Sequence, residues 1–518
     1  MNTTIVNKKL TQAMLQADSY DHPVSNIELI ETHISQVFLT GDYAYKIKKP
    51  VDFGFLDFRT LAQRKFFCEE ELRLNRRLAP DIYLEVVPIT VSAGKIQLRG
   101  AGEIIEYAIR MRQFDAHNLL NRLLASAAIS HQHILSLADA IADFHSVIEI
   151  NRTDAFGSAD DVIKPVIENF RILNTYIKPA PQRQQLAAIQ ANSLRTHSAL
   201  KVIFMQRKLA GHIRECHGDL HTGNIALTSN KIIIFDGIEF NASLRWIDTI
   251  SDIAFLIMDL QDQQQPGYAN LLLNRYLEIS GDYDGLAVLT FYKMYRAMVR
   301  AKVCCLRLQQ SDISPEASVL LHQQLQNYLD LALQYCQPTT PFLAITCGVS
   351  GSGKSWLAQQ LAEPTAAIVI RSDKERKRLP DISADDLYLT QNTDRVYALI
   401  LQLARQVAEY NYSVIVDATF LTIFWRERAQ SIAQQMGFKF HILHCQADSR
   451  ILERRIAQRQ TESTNLSNAD SKVLHHQLAT LQPLAASEQA FTIEIDTSRE
   501  IDFNAIQQQL MPGHKKTG

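Results

Sequence analysis

Hydrophobic and polar positions alternate through three short runs near the start of the chain, NIELIE, ISQVFLT and YAYKIK. Gly41-Asp42 separates the second run from the third, and such a pair between alternating runs marks a hairpin turn. Residues 26–48 therefore read as strand, turn and strand. Over residues 58–79 the spacing becomes helical, with Leu61, Phe66, Leu72 and Leu78 among polar positions. Strand-like stretches return at Tyr83–Val91, Lys95–Leu98 and Ile104–Met111, and from about residue 117 to 210 the pattern is mostly helical. A small β-rich lobe precedes a larger helical one. Helical periodicity runs again through Leu320–Tyr335 and stops at Cys336-Gln-Pro-Thr-Thr-Pro341, whose two prolines cannot continue a helix. The next run, Phe342–Cys347, is almost wholly apolar and ends in a Gly-rich turn, the pattern of a buried strand opening a second domain. The tail after Met511 is expected to fray.

A chain of 518 residues is too long for one core, and predicts roughly two to four folding units. With 46% hydrophobic and 21% charged residues it is neither a disordered chain nor, with 19 Gly, a collagen-like repeat. Lys plus Arg is 53 against 55 Asp plus Glu, a net charge of −2, so no general affinity for nucleic acid or anionic membranes is expected. The seven cysteines are scattered and form no CxxC pair, which argues for reduced thiols rather than a zinc site or disulfides. The N-terminus lacks a signal-peptide core. No apolar run reaches the roughly 18–20 residues of a bilayer span. A cytoplasmic protein without a membrane partner is expected.

The first chemical constellation is His217-Gly-Asp-Leu-His-Thr-Gly-Asn224. It leads into a short strand (Ile225–Leu227), a Ser229-Asn230 turn, a second strand (Ile232–Phe235), and Asp236-Gly237. Phosphoryl transfer needs one carboxylate for the attacking hydroxyl, and an amide and a second carboxylate for Mg²⁺. Asp219 and Asn224 lie on one loop, and the hairpin brings Asp236 back beside them. This resembles the protein-kinase-like fold in its aminoglycoside and choline phosphotransferase branch, which carries H-G-D-x-H-x-x-N in place of H-R-D-x-x-x-x-N. The resemblance implies ATP and Mg²⁺ as cofactors. It makes Asp219 the catalytic base, Asn224 and Asp236 the Mg²⁺ ligands, and His217 and His221 the braces of the loop. It also implies a small-lobe lysine for the nucleotide phosphates and a glutamate that orients it. Lys46 and Lys48 share a face of the third strand; Lys46, after Ala44-Tyr45, sits like the lysine that ends V-A-I-K. Among the consecutive Glu69, Glu70 and Glu71, the packed side set by Leu72, Asn75 and Leu78 selects Glu71. No GxGxxG lies between the first two strands, so hydroxyls and amides of Glu31-Thr-His-Ile-Ser35 would have to cover the phosphates. The stretches KIKKPVDFGFLDF, ELRLNRRLAPDIYL and FDGIEFNASLRWIDTISDIAFLIMDL are similar to bacterial proteins that fuse an aminoglycoside-phosphotransferase-like domain to a P-loop kinase. The acceptor pocket would lie among the helices after Asp236, lined by Glu239, Arg245, Asp248 and Asp252, unless Asp248 and Asp252 only buttress the catalytic loop.

The second constellation is Gly348-Val-Ser-Gly-Ser-Gly-Lys-Ser355, the G-x-x-x-x-G-K-[ST] pattern between a strand and a helix. Gly348, Ser350, Gly351, Ser352 and Gly353 would turn backbone amides onto phosphate. Lys354 would reach the β/γ-phosphates and Ser355 would ligate Mg²⁺. A second apolar strand (Ala366–Ile370) ends in Arg371-Ser-Asp373-Lys-Glu-Arg376, and a third (Ser413–Asp417) ends in an acid. Arg454, Arg455 and Arg459 precede a polar stretch, Thr461–Asp470, as in the lid of small P-loop kinases. The R-S-D-x-x-R and V-D-A-T elements resemble polynucleotide-kinase, gluconate-kinase and zeta-toxin relatives. That resemblance makes Asp373 the acceptor base and Asp417 the support of Mg²⁺, with Arg376 and Arg459 gripping phosphates. Read without it, Asp373 could cap a helix and the arginines could be a solvated face. No sensor arginine or second helical domain follows, which argues against a ring-forming ATPase.

The expected protein is an α/β multidomain chain. Residues 1–335 form a two-lobed kinase-like α+β domain (small lobe about 1–112, large lobe about 113–335), and residues 341–518 form a P-loop domain with a parallel sheet. Each would transfer the γ-phosphoryl group of ATP to a hydroxyl of a small molecule. Two alternatives stay open. One is a nucleotide-binding regulatory protein with a degenerate N-terminal kinase, favoured by the missing Gly-rich loop. The other is nucleic-acid 5′-end or toxin-like kinase activity in the C-terminal domain, favoured by the locally basic Arg371–Arg378.

Overall fold

The computed structural model describes residues 3–24, 26–52, 54, 56–228, 231–310, 313–379, 390–461 and 471–511. Two compact units emerge: Met1–Gln263 with Phe291–Ala332, and Gln264–Thr290 with Leu333–Gly518. The Pro-rich break after Tyr335 lies just inside the second unit, which also takes residues 264–290 from further back in the chain.

The first unit opens on an antiparallel sheet of β1 (Glu28–Glu31), β2 (Ser35–Leu39), β3 (Tyr43–Lys48), β4 (Tyr83–Ser92), β5 (Lys95–Leu98) and β6 (Glu103–Arg112). The strand order is β1-β2-β3-β6-β4-β5. Alternation gives the sheet two covered faces. Phe38, Tyr45, Ile47, Val87 and Ile89 pack with Leu10 and Met14 of the first helix, Thr3–Met14. Ile109 and Tyr83 pack with Cys68 of the helix Leu61–Asn75. That helix starts cleanly because Thr60 and Gln63 form a reciprocal capping box. Since Tyr45 and Ile47 face the first side, Lys46 and Lys48 are turned toward the helix Leu61–Asn75.

The rest of this unit is mainly helical, with four short strands: β7 (Ile213–Glu215), β8 (Ile225–Thr228), β9 (Lys231–Ile234) and β10 (Trp246–Asp248). β7 pairs with β10, and β8 with β9, both antiparallel. Ile225 sits opposite Ile234, so the loop before β8 and the residues after β9 meet at one end of the hairpin. The N–H of Phe235 donates to the carbonyl of Asn224 at 3.0 Å. The turn at Ser229-Asn230 lies outside the described residues. The helix Thr249–Asp262 is buried from Thr249 to Leu260, Asp252 and Asp259 included. Acids in such a place must be paired.

The second unit is built on a parallel sheet of β11 (Phe342–Cys347), β12 (Ile368–Arg371), β13 (Val414–Asp417), β14 (Lys439–Gln446) and β15 (Thr492–Asp496), ordered β12-β13-β11-β14-β15. All six residues of β11 are buried, as expected of an inner strand covered on both faces. β12 lies at the edge, and its outer side is closed by a side chain. Asn274, on the helix Pro266–Ser280, donates Nδ2 to the Ala367 carbonyl (3.0 Å) and accepts the Val369 N–H at Oδ1 (2.8 Å). Asn270, one turn earlier, donates to the Ala362 carbonyl. A side-chain amide thus takes the place of a neighbouring strand and satisfies two edge groups.

Asn274→Ala removes both partners at once. It should destabilise the second unit by about 1–3 kcal/mol, the cost of unsatisfied buried backbone groups. Urea unfolding of the full chain measures it; a midpoint unchanged from the parent would mean that water replaces the amide there.

Candidate active sites

In the first unit, β3 and the helix Leu61–Asn75 converge on one carboxylate. Lys46 Nζ lies 2.8 Å from Glu71 Oε1 and 2.5 Å from Asp236 Oδ1. Lys48 Nζ donates to Glu71 Oε2 at 2.6 Å and also binds Glu239. Glu71 is completely buried, and Lys48 almost so, its ammonium 5.0 Å over the Phe58 ring. Burial alone would raise the Glu71 pKa, but Lys46 and Lys48 hold it below the ordinary value. Burial would lower Lys46, yet Asp236 and Glu71 lift it well above the ordinary lysine range. Glu239 is pushed up by burial despite Lys48. Of the three consecutive glutamates, Glu71 is the one brought to Lys46. Glu69 makes an exposed pair with Lys65 (3.5 Å), and Glu70 binds Arg73 (2.7 Å) and Arg245 (2.9 Å).

The loop His217–Asn224 is held from below by the buried helix Thr249–Asp262. Asp252 accepts the N–H groups of His217 (3.0 Å) and Gly218 (2.9 Å) and lies 3.2 Å from His145 Nε2. Asp259 accepts the Thr222 N–H (2.9 Å) and hydroxyl (2.5 Å). Arg296 donates to the Gly218 carbonyl at 2.9 Å. Gly218 has φ +85°, and a Cβ there would stand 2.7 Å from the Leu244 carbonyl oxygen, so the tight turn before Asp219 requires glycine. His217 pairs Nε2 with the Phe235 carbonyl (2.9 Å), and its Nδ1 accepts the Asp219 N–H (3.3 Å). Burial lowers the His217 pKa, in keeping with a neutral ring. His221 Nε2 lies 3.4 Å from Asp219 Oδ2. Asn224 Nδ2 donates to the Asp219 carbonyl (3.0 Å) and Oδ2 (3.1 Å). Burial pushes the Asp219 pKa up, but His221 and the surrounding charges pull it below the ordinary value, so the carboxylate is ionised. Asp236, at the far end of the hairpin, sits at φ +62°, a region aspartate tolerates, with its N–H on the Tyr83 hydroxyl at 3.2 Å.

Lys46, Asp219 and Asp236 open onto one cleft of about 1780 Å³. A single small-molecule site takes roughly 300–1,000 Å³, so this cleft has room for two ligands side by side. Thr32 and Ser35, in the β1–β2 turn, also line it, and Thr32 Oγ1 accepts the Ser35 N–H at 2.9 Å. A hydroxyl-closed turn thus stands where a Gly-rich loop was absent from the sequence. Of the four residues expected around an acceptor, Arg245 and Asp252 are taken up in buried networks. Asp248 is gripped by Arg207 (2.6 and 2.8 Å) while capping the helix Thr249–Asp262. Glu239 and Asp248 keep some surface on the cleft.

In the second unit the residues Gly348–Gly353 link β11 to the helix Lys354–Thr365. Gly348 has φ +141°, and a Cβ there would collide with the Cys445 carbonyl. Ser355 lies in the first turn of that helix. Lys354 Nζ donates to the Val349 carbonyl at 2.7 Å, and burial lowers its pKa. The Ser350 N–H donates to Gln477 Oε1 at 2.7 Å. The Ser352 hydroxyl is buried with no partner among the described residues. Asp417 Oδ1 lies 3.4 Å from Thr346 Oγ1, and Oδ2 lies 3.6 Å from Arg371 Nε. Asp373 Oδ1 is 3.7 Å from Arg376 Nη1; burial and then Asp417 raise the Asp373 pKa. Arg455 donates to the Gly351 carbonyl (3.1 Å) and to Thr497 Oγ1 and O (2.9 and 2.8 Å), clamping the loop from the side. The side chain of Arg459 and residues 462–470 lie outside the described residues.

Fold and sites together define a kinase-like phosphotransferase unit and a separate P-loop ATPase-like unit on one chain. A family model described as "Phosphotransferase enzyme family" matches residues 65–289, and one described as "AAA domain" matches residues 343–484. The uncharacterised protein Rv2004c of Mycobacterium tuberculosis is 32% identical over 451 residues, 85% of this chain and 88% of the relative. The uncharacterised protein Mb2027c of Mycobacterium bovis matches to the same extent. The chain belongs to the family of these mycobacterial proteins. Among solved structures, a choline/ethanolamine kinase family protein from Mesorhizobium loti is 11% identical, covering 63% of this chain and 99% of its own, with TM-score 0.36. A gluconokinase from Sinorhizobium meliloti is 20% identical, covering 33% and 89%, with TM-score 0.23.

Tyr83 and Arg296 were not singled out in the sequence as parts of the first site, nor Thr346, Gln477 and Thr497 as parts of the second; Lys48 was set aside in favour of Lys46 but shares Glu71 with it, and Glu239, expected around an acceptor, is bound to Lys48. For the supports of the loop a signal existed in Asp252 and Asp259, acids set in the apolar run TISDIAFLIMDL.

Glu71→Gln should leave two buried ammonium groups short of a charge and cost about 3–5 kcal/mol. The folded pKa of Glu71 lies below its ordinary 4.5. Its contribution is therefore complete above that value and is lost as pH falls through the folded one. The variant should unfold with a shallower pH dependence below pH 4.5 than the parent, as measured by urea titrations across the acid range.

Proposed function

We propose that the first unit is an ATP- and Mg²⁺-dependent phosphotransferase that acts on a hydroxyl of a small molecule. The P-loop unit is proposed as a second nucleotide site of the same reaction class. The residues proposed to meet ligand lie within 1–335 for the first site and within 341–518 for the second, whose unit also takes in Gln264–Thr290. One observation carries the reading. The ammonium of Lys46 and the carboxylates of Asp219 and Asp236 open onto a single cleft large enough for a nucleotide and an acceptor.

The donor sets fit hard cations and phosphate. Asn224 turns its Nδ2 to Asp219, which leaves its Oδ1 as an oxygen donor, and the half-exposed Asp236 carboxylate lines the cleft. In the second unit, the unpartnered Ser352 hydroxyl suits a phosphate oxygen, whereas the amides of Gly348, Ser350 and Ser352 already donate to Thr419, Gln477 and Val349. Asn224 and Asp236 would hold Mg²⁺ in the first site; Ser355, supported by Asp417, would hold it in the second. When bound, the ion offsets the charge of the β- and γ-phosphates. Lys46, oriented by Glu71, meets the nucleotide phosphates. Asp219, ionised and fixed by His221 and Asn224, receives the proton of the attacking hydroxyl. In the second unit Asp373 has the same role; a carboxylate raised by burial is a better base than a free one. Arg376 beside it would meet transferring phosphate, and Arg459 is proposed for the lid.

The basic run Arg371–Arg378 does not favour a nucleic-acid partner, because four of its five cations are already answered within the unit, with Lys377 the exposed exception. Arg371 and Lys374 bind Glu278 (both 3.0 Å), Arg378 binds Glu375, and Arg376 faces Asp373. No helix among the described residues is long and apolar enough to cross a membrane.

Titration calorimetry with Mg·ATP should find two nucleotides per chain, and Lys354→Ala should remove one. A single site in the parent chain would sink the two-site reading. Asp219→Asn should cut transfer by the first unit by roughly 10²–10⁴-fold with ATP affinity kept. Asp236→Asn should weaken Mg·ATP binding itself, and equal losses of affinity in both variants would refute these roles.

For the second unit, single-turnover rates across a Mg²⁺ titration separate the two acids. Asp373→Ala should lower the plateau by roughly two orders of magnitude or more, while Asp417→Ala should raise the metal requirement. The opposite pattern would exchange the assignments.

A further inference from the structure

We infer that Glu278, on the helix Pro266–Ser280, is a positioning residue of the P-loop site that keeps the Arg371 guanidinium off Asp417. The inference rests on the reading of that site as a Mg·nucleotide site. Glu278 lies outside the residues matched by the "AAA domain" model and inside those matched by the phosphotransferase model, yet it packs within the second unit.

β12 and β13 run parallel with Arg371 in register with Asp417, so the arginine stands beside the acid that ends β13. The guanidinium is divided between two carboxylates. Nη1 donates to Glu278 Oε1 at 3.0 Å, while Nε stops 3.6 Å from Asp417 Oδ2, buried and without a hydrogen-bond partner among the described residues. A buried N–H that falls just short of an anion is costly and remains so only if the rest of the group is held elsewhere. Glu278 does the holding, and several groups anchor it in turn. Lys374 Nζ sits 3.0 Å from the same Oε1, Arg275 Nη1 lies 3.6 Å from Oε2, and Arg378 donates to the Glu278 carbonyl.

The consequence concerns the free oxygen of Asp417. Oδ1 is already near the Thr346 hydroxyl, so Oδ2 is the oxygen left for a cation or its water. With Glu278 neutral, Arg371 can close the remaining gap and form a charge-assisted bond to Oδ2. Arginine and metal then compete for one oxygen. Glu278 thus sets how strongly the site holds its cation without touching it.

The test uses the full chain, with MgCl₂ and ATP as probes. The signal is the part of Mg-dependent ATP binding that Lys354→Ala abolishes. Glu278→Gln should raise the Mg²⁺ midpoint of that signal by about tenfold, the size of one charge-assisted contact. Adding Arg371→Met to Glu278→Gln should bring the midpoint back to within about threefold of the parent, since the competitor is gone. Thermal melts run on the same samples. A lower melting temperature with an unchanged midpoint would make Glu278 merely structural and overturn the inference, as would a double variant no better than Glu278→Gln. If the parent chain has no Lys354-dependent Mg·ATP binding, the reading of the site itself falls, and the role of Glu278 with it.

Discussion

A carboxylate that water cannot reach has to be neutralised by the chain itself, and Glu71 is neutralised by two lysines set two apart on β3. The lysine-lined side of the first unit's cleft depends on this sharing. One glutamate oxygen goes to each lysine, and the two lysines then do different things. Lys48, gripped also by Glu239 and covered by Phe58, fixes the helix Leu61–Asn75 to the sheet. Lys46 is left free to reach outward to Asp236 and the cleft. A lone lysine would have to serve as anchor and as ligand together. The period of two along a strand supplies both from one short stretch of sequence.

The elements were legible wherever the pattern was local. The six strands of the small sheet, the helix after Thr60, and the β11–loop–helix run of the second unit all carry their periodicity in a few consecutive residues. Glu71 could be picked from three adjacent glutamates because the packed side of its helix could be read from Leu72 and Asn75. One boundary moved. The second strand of the P-loop unit starts at Ile368, because Ala366, at φ +51°, ends the preceding helix in a left-handed turn.

Contacts between distant residues brace the sites and were hardly legible: Asp252 could be named as a possible buttress of its loop, but not the groups it holds or those behind it. Asp252 holds the loop His217–Asn224 through two backbone amides, with His145 behind it and Arg296 on the Gly218 carbonyl. These four elements are spread over some 150 residues of sequence, and no spacing rule links them. The same holds for Arg455 and Thr497 around the P-loop. A motif can be recognised because its residues meet the ligand; its supports meet only each other, so their identity is set by the fold. Buried acids in an otherwise apolar helix are the trace they leave in a sequence.

The side-chain cover of β12 bears on how the chain can be divided. Two prolines make the stretch before Phe342 look like a natural place to cut, and a fragment starting there would keep all five strands of the parallel sheet. It would lose Asn270 and Asn274. The Ala367 carbonyl and the Val369 amide would then stand bare along an outer strand, ready to pair with the same strand of another copy. Such a fragment would tend toward self-association, whereas one that begins before Gln265 would carry its own cover. The asparagines, not the prolines, mark where the second folded unit begins.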